Sequence, residues 1–87
     1  MDVVWDPRKA ASNLRKHGVS FDEAATALRD EAALVMEDDS EGEHRWVLVG
    51  LSLQARLLVV VYTLRGQAIR IISARKADKR EEHDYAS

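Results

Sequence analysis

The sequence predicts an α+β fold: N-terminal helices packed on a mostly antiparallel four-stranded sheet, closed by a short C-terminal helix. Three observations predict it. Apolar residues recur at helical spacing as far as about Leu28 and alternate thereafter. The alternating runs follow one another through short turns, which makes neighbouring strands antiparallel. The 87 residues suffice for one domain with one modest core.

Residues 2–5 read as an extra short strand. Asp6-Pro7 then starts a helix. Asp accepts hydrogen bonds at the N-cap, and Pro at the first helical position lacks a donor that would be orphaned anyway. A helix from Pro7 to about His17 places Ala10, Ala11 and Leu14 on one face. Gly18 suits a left-handed terminator, with Lys16 and His17 at the negative end of the helix dipole. Ser20-Phe21-Asp22-Glu23 reads as a capping box, with Val19 and Ala24 as its hydrophobic staple. This second helix runs to about Leu28, with Phe21, Ala24, Ala25 and Leu28 inward.

The period then changes to two. Ala33–Met36 is a weak strand and Glu37–His44 an acidic hairpin loop. Arg45–Leu51 and Arg56–Thr63 are strong strands joined near Ser52–Ala55. Arg65-Gly66-Gln67 is a tight turn before a third strong strand, Ala68–Ala74. Strict alternation groups Ile69, Ile71, Ser73 and Arg75 on one face of that strand, and Arg70, Ile72 and Ala74 on the other. Ala77–Tyr85 is the closing helix.

Composition narrows the function classes. The chain is 46% hydrophobic and 32% charged, as a water-soluble domain is. It has no cysteine, which excludes disulfides, thiolate metal sites and a thiol nucleophile. MDVVWDPRKAA has acids where a signal peptide needs a basic segment and an apolar run. The longest apolar-rich stretch, Trp46–Leu53, is far short of a membrane span. The expectation is a soluble cytoplasmic protein that does not engage a membrane.

Charge is strongly segregated behind a net −2. Residues 56–80 hold seven Arg or Lys against one Asp, whereas residues 22–45 hold nine acids against two Arg. Such a basic segment presents an electrostatic face to a polyanion. The bland alternative for each Arg is a solvated charge or a salt bridge to the nearby acids. His17 has a bland reading too, complementing a helix dipole. His44 reads as a surface residue and His83 as a solvated neighbour of Glu81, Glu82 and Asp84. No histidine has metal-ligand spacing. The acidic run 37–43 lacks the register and flanking helices of a calcium loop. No metal and no cofactor are expected.

The stretch from Trp5 to Ala24, WDPRKAASNLRKHGVSFDEA, resembles the signature of the BrnT family. So do Gly42-Glu43-His44-Arg45, Val61-Tyr62-Thr63-Leu64-Arg65, and Arg70-Ile71-Ile72-Ser73-Ala74-Arg75-Lys76-Ala77 followed by Glu81 and Tyr85. The resemblance covers nearly the whole chain in order. It implies a type II toxin with a RelE-like ribonuclease fold and metal-independent RNA cleavage that arrests translation. It implies neutralisation by a BrnA-type antitoxin in a heterotetramer of two toxins and two antitoxins. Operator DNA would be reached only through the antitoxin's DNA-binding domain.

Metal-free RNA cleavage needs a base for the 2′-hydroxyl proton, cations on the developing phosphorane and an acid for the 5′-oxygen. Arg65 and Arg75 are the candidates for phosphate stabilisation. His17 is the candidate acid or base, its ordinary pKa suiting neutral pH. Glu81 is an alternative base, and Tyr85 a proton donor or base-stacking platform. Lys16, Arg70, Lys76 and Arg80 would hold the RNA backbone. The competing reading is a non-catalytic RNA- or protein-binding module using the same basic face.

Overall fold

The computed structural model describes residues 2–40 and 42–87. In chain order they form β1 (Val3–Val4), α1 (Pro7–His17), α2 (Phe21–Ala27), β2 (Leu34–Asp38), β3 (Arg45–Leu51), β4 (Leu57–Arg65), β5 (Ala68–Lys76) and α3 (Lys79–Ala86). The α+β class holds. The sheet has five strands in the order β1-β5-β4-β3-β2 and is mixed, because β1 lies parallel to β5. The other pairings are antiparallel. Two residues carry no alternation to count, so this parallel partner was legible only as an extra strand. Within the acidic run expected as a loop, Glu37 and Asp38 extend β2, and Glu41 lies outside the described residues.

Local signals set the helix ends. Asp6 Oδ1 accepts from the Arg8 amide at 2.8 Å, with Pro7 behind it. Gly18 adopts φ 68° and its amide closes on the Leu14 carbonyl at 2.9 Å. At α2 the Ser20 hydroxyl accepts from the Glu23 amide at 3.0 Å. The return half of the predicted capping box does not form. Glu23 instead binds Arg56 through both its oxygens and accepts from Ser52 Oγ at 2.7 Å. An arginine and a hydroxyl outcompete a single backbone amide for a buried carboxylate.

The core lies between α2 and one face of the sheet. Val19, Phe21, Ala24 and Ala27 pack with Leu58, Val60, Ile71 and Ala74, flanked by Val3, Trp5, Ala10, Ala25 and Leu28. Trp5 meets Phe21 edge to face, ring centroids 6.0 Å apart. Gly50 makes the sheet's close approach to α2. A Cβ there would sit 2.8 Å from the Ala27 carbonyl oxygen, nearer than backbone tolerates.

The packed side of α1 is only partly the predicted one, since Ala10 alone of the three expected residues packs inward. Leu14 is 50% exposed and Ala11 is exposed, while Ala10, Asn13 and His17 turn inward. The reason is polar. β1 covers only the first part of β5, leaving the backbone around Ala74 on an open edge. Asn13 takes the missing strand's place: its amide donates to the Ala74 carbonyl at 2.8 Å and accepts from the Ala74 amide at 3.1 Å. It also donates to the Val19 carbonyl at 3.0 Å.

Strict alternation in β5 is broken as well. Val61 pairs with Ser73 but Tyr62 pairs with Ile71, so Ile72 is an extra residue at a bulge. Ile71 and Ala74 therefore both enter the core, and Ser73 and Arg75 move to the opposite face from Ile69 and Ile71.

Two stability predictions follow from these contacts. Asn13→Ala strands both polar groups of Ala74, and chemical unfolding should show a loss of at least about 2 kcal/mol. The Arg56 guanidinium, by hydrogen bonding, holds the Glu23 carboxyl below its ordinary value. Stability from such a group is present above its unfolded pKa and is lost as pH falls through the lower folded value. Melting temperature should thus drop in acid, and Glu23→Gln should shrink that part of the drop while lowering stability at neutral pH.

Candidate functional site

With the bulge in place, alternation assigns Arg45, Val47 and Val49 of β3 to the face opposite α2. Val59, Val61, Thr63 and Arg65 of β4 and Arg70, Ser73 and Arg75 of β5 join them. Four arginines thus share one face. They form two groups. Thr63 is paired with Arg70, and Arg45 flanks Thr63 one step beyond the Trp46–Tyr62 pair, with Arg65 next along β4. Arg75 is paired with Val59, four residues back along β4. At strand spacing the two groups stand about 13 Å apart.

The Arg75 group has the better-formed pocket. A cleft of about 370 Å³ is lined by His17, Val47, Val59, Val61, Ser73, Ala74 and Arg75. His17 reaches it because Asn13, one helical turn earlier, pins α1 to the β5 edge. Arg75 is oriented by α3. Its two terminal nitrogens donate to the two Glu81 oxygens, each at 2.8 Å. Glu81 in turn accepts from the Asp78 amide at 2.8 Å, while Asp78 Oδ1 accepts from the Glu81 amide at 2.8 Å. The capping box sought at Ser20 is therefore found at α3. Hydrogen bonding to Arg75 holds the Glu81 carboxyl below its ordinary value, and Glu81 in turn raises Arg75. A planar guanidinium held by a bidentate carboxylate cannot swing freely, so it meets a ligand in a fixed plane.

The other predicted residues are distributed around this cleft. Lys16 lines a smaller depression of about 210 Å³ with Lys9, Ser12 and Ile72, sharing His17 and Ser73 with the main cleft. Arg65 and Arg70 line a separate cleft of about 420 Å³ with Val4, Trp5 and Asp6. Lys76 and Tyr85 belong to a third cleft, with Leu51, Arg56 and Glu82. The Tyr85 hydroxyl donates to Asp30 there, which also accepts from the Leu51 amide at 2.8 Å. Arg80 is exposed on α3. The structure brings His17, Arg75 and Glu81 together, and sets Arg65, Arg70 and Tyr85 apart from them.

Four residues escaped the sequence reading. Arg45 has its Nε buried, and Thr63 its hydroxyl, with no hydrogen-bond partner among the described residues. Alternation from Val47 back to Arg45 and from Val61 on to Thr63 would have found both. Ser73 was placed on the wrong face by the bulge. Asn13 left no signal, since an asparagine amid charged helix residues looks solvated. Among the described residues no group of three or more His, Cys, Asp or Glu is arranged to hold a metal ion. No described helix is long and apolar enough to cross a membrane.

A search of curated proteins returns no match. Among solved structures the chain is similar to the ribonuclease toxin BrnT of Brucella abortus, determined at 1.1 Å. The TM-score is 0.71 at 24% identity, covering 91% of this chain and 99% of the other, which establishes a common fold. The model for the family described as ribonuclease toxin, BrnT, of type II toxin-antitoxin system matches residues 5–81. That span takes in Trp5 of the core, the His17 turn, the four-arginine face and the Arg75–Glu81 pair, and the chain belongs to the BrnT family of ribonuclease toxins.

Proposed function

We propose that this chain cleaves RNA without a metal ion, at the His17–Arg75 cleft, and thereby arrests translation. The observation that carries the reading is Arg75, locked by Glu81 beside His17 on a face with three further arginines. Arg75 supplies fixed positive charge where a phosphorane would develop. His17 exchanges protons with the 2′-hydroxyl or the 5′-oxygen. Glu81 is committed to Arg75 and Asp78, so it acts as a positioning residue rather than as the base. Arg45, Arg65 and Arg70 hold the backbone of the same RNA strand farther along the face, and Lys16, Lys76 and Arg80 extend the field around it. Tyr85, tied to Asp30, anchors α3.

The proposal carries the rest of the family inference: a RelE-like toxin, cytoplasmic, neutralised by a BrnA-type antitoxin in a 2:2 complex, with operator DNA contacted through the antitoxin. One observation favours the non-catalytic alternative, a face that binds RNA or protein without cutting it. Both terminal nitrogens of Arg75 are already engaged by a carboxylate.

Incubating purified protein with RNA in EDTA decides between the two. Cleavage should persist, and intact RNA with retained binding would establish the binding module instead. Arg75→Ala should lower the cleavage rate roughly 10²–10³-fold, with the fold intact by circular dichroism. Glu81→Gln should cost less and be read as looser placement of Arg75. In binding assays with an uncleavable 2′-O-methyl RNA, Arg45→Ala and Arg70→Ala should each flatten the salt dependence by about one counterion. A salt-independent affinity would remove these arginines from the RNA surface.

A further inference from the structure

The two edges of the sheet are treated differently. On the β5 side the short β1 and the Asn13 amide close the ladder. On the other side β2 pairs with β3 alone, and among the described residues its outer edge has no neighbour in the sheet. Leu34, Val35 and Met36, its first three residues, are 37%, 48% and 56% exposed. Unpaired strand edges are normally guarded by charge, proline or a bulge, because they template the pairing of another chain. Here acidic residues flank the apolar run Leu34–Met36: Glu31 stands three residues before it, and Glu37, Asp38 and Asp39 follow it directly. No bulge interrupts the five pairs to β3.

We propose that β2 is a docking edge for an extended segment of a partner polypeptide, apolar at its centre and basic at both ends. Such a segment would add a sixth strand beside β2. Main-chain hydrogen bonds would supply affinity, and the Leu34–Met36 run would supply apolar contacts on both faces. The flanking carboxylates select the partner's charge. They also disfavour a second copy of this chain. Pairing β2 with itself, in either direction, brings the acidic flanks of both copies together, and opposed like charges destabilise a strand pair. Membership in a toxin–antitoxin family supplies a protein partner to which such a segment could belong. The inference rests on that membership and not on the chemistry at His17 and Arg75. It places one partner contact on the edge of the sheet, beyond the arginine face, and gives it the opposite charge requirement.

The test uses the whole chain and two synthetic nine-residue peptides. Both have a Val-Thr-Val-Thr-Val centre, with two Lys at each end in one and two Glu in the other. Amide hydrogen exchange is followed by NMR. The Lys-ended peptide should slow the outward-facing amides of Leu34–Asp38 by about tenfold or more at saturation, and the Glu-ended peptide should not. Val35→Lys should weaken the Lys-ended peptide at least about tenfold, whereas Val35→Glu should weaken it less. Val35→Thr, which keeps strand propensity, should bind nearly as the parent does and controls for folding. Equal protection by both peptides, protection by neither, or a concentration-dependent dimer of the chain alone that protects β2 would each overturn the proposal. RNA cleavage measured on the same Val35 variants should stay at the parent level, so docking and catalysis can fail independently.

Discussion

One asparagine holds the functional geometry together. A sheet edge can end in solvent, in another strand or in a side chain that imitates one, and Asn13 does the last. It returns both hydrogen bonds that a neighbouring strand would give Ala74, and adds one to Val19. In doing so it fixes the rotation and height of α1, and hence where His17 enters the cleft. It also fixes β5 at the residue next to Arg75. The candidate acid–base group and the candidate phosphate ligand are thus referenced to the same pair of backbone bonds. Because the amide is buried, substitution leaves unpaired polar groups in a place water does not reach.

A second polar knot, at the same end of the sheet, does the same for the β3–β4 turn. Glu23, Arg56 and Ser52 join the first turn of α2 to the β3–β4 turn, and Arg56 continues to the Gly18 carbonyl at 3.2 Å. Thr26 accepts from the Leu53 amide at 3.0 Å and Asp30 from Leu51. Tyr85 then ties α3 to Asp30. A small domain with short helices has limited apolar surface to hold its corners, and these buried or half-buried polar bonds supply the orientation that area alone does not.

Much of this was legible in the chain. Capping chemistry located the starts of α1 and α2, and alternation found β3 almost to the residue. The family resemblance rested on motifs that supply both the core, through Val19, Phe21, Ala24, Ile71 and Ala74, and the cleft residues His17 and Arg75. What was not legible has a common cause: long-range polar pairing. The inward side of α1 was sought through Ala11 and Leu14, yet an asparagine answering a strand sixty-one residues away decided it. Glu23 was assigned to its own helix end, yet Arg56 claims it. Site residues proposed from charge alone are scattered over several separate clefts, because basic density along a chain does not report which side of a sheet each side chain takes. Arg45 was overlooked for the same reason.

The bulge at Ile72 can be viewed as a frameshift in the pleat. A strand read two residues at a time keeps a fixed frame, and each side chain's face is set by parity from the first. One unpaired residue resets that frame midway. Before it, Ile69 and Ile71 share the α2 face and Ile71 enters the core; after it, Ala74 serves the core, leaving Ser73 and Arg75 for the cleft. The same nine-residue strand therefore carries two messages in two frames. Pairing Ile72 regularly in place of the bulge would turn the Arg75 side chain toward α2 while changing no residue of the cleft itself. Single-residue insertions between the bulge and Arg75 should accordingly be far rarer among functional relatives than substitutions at the same positions.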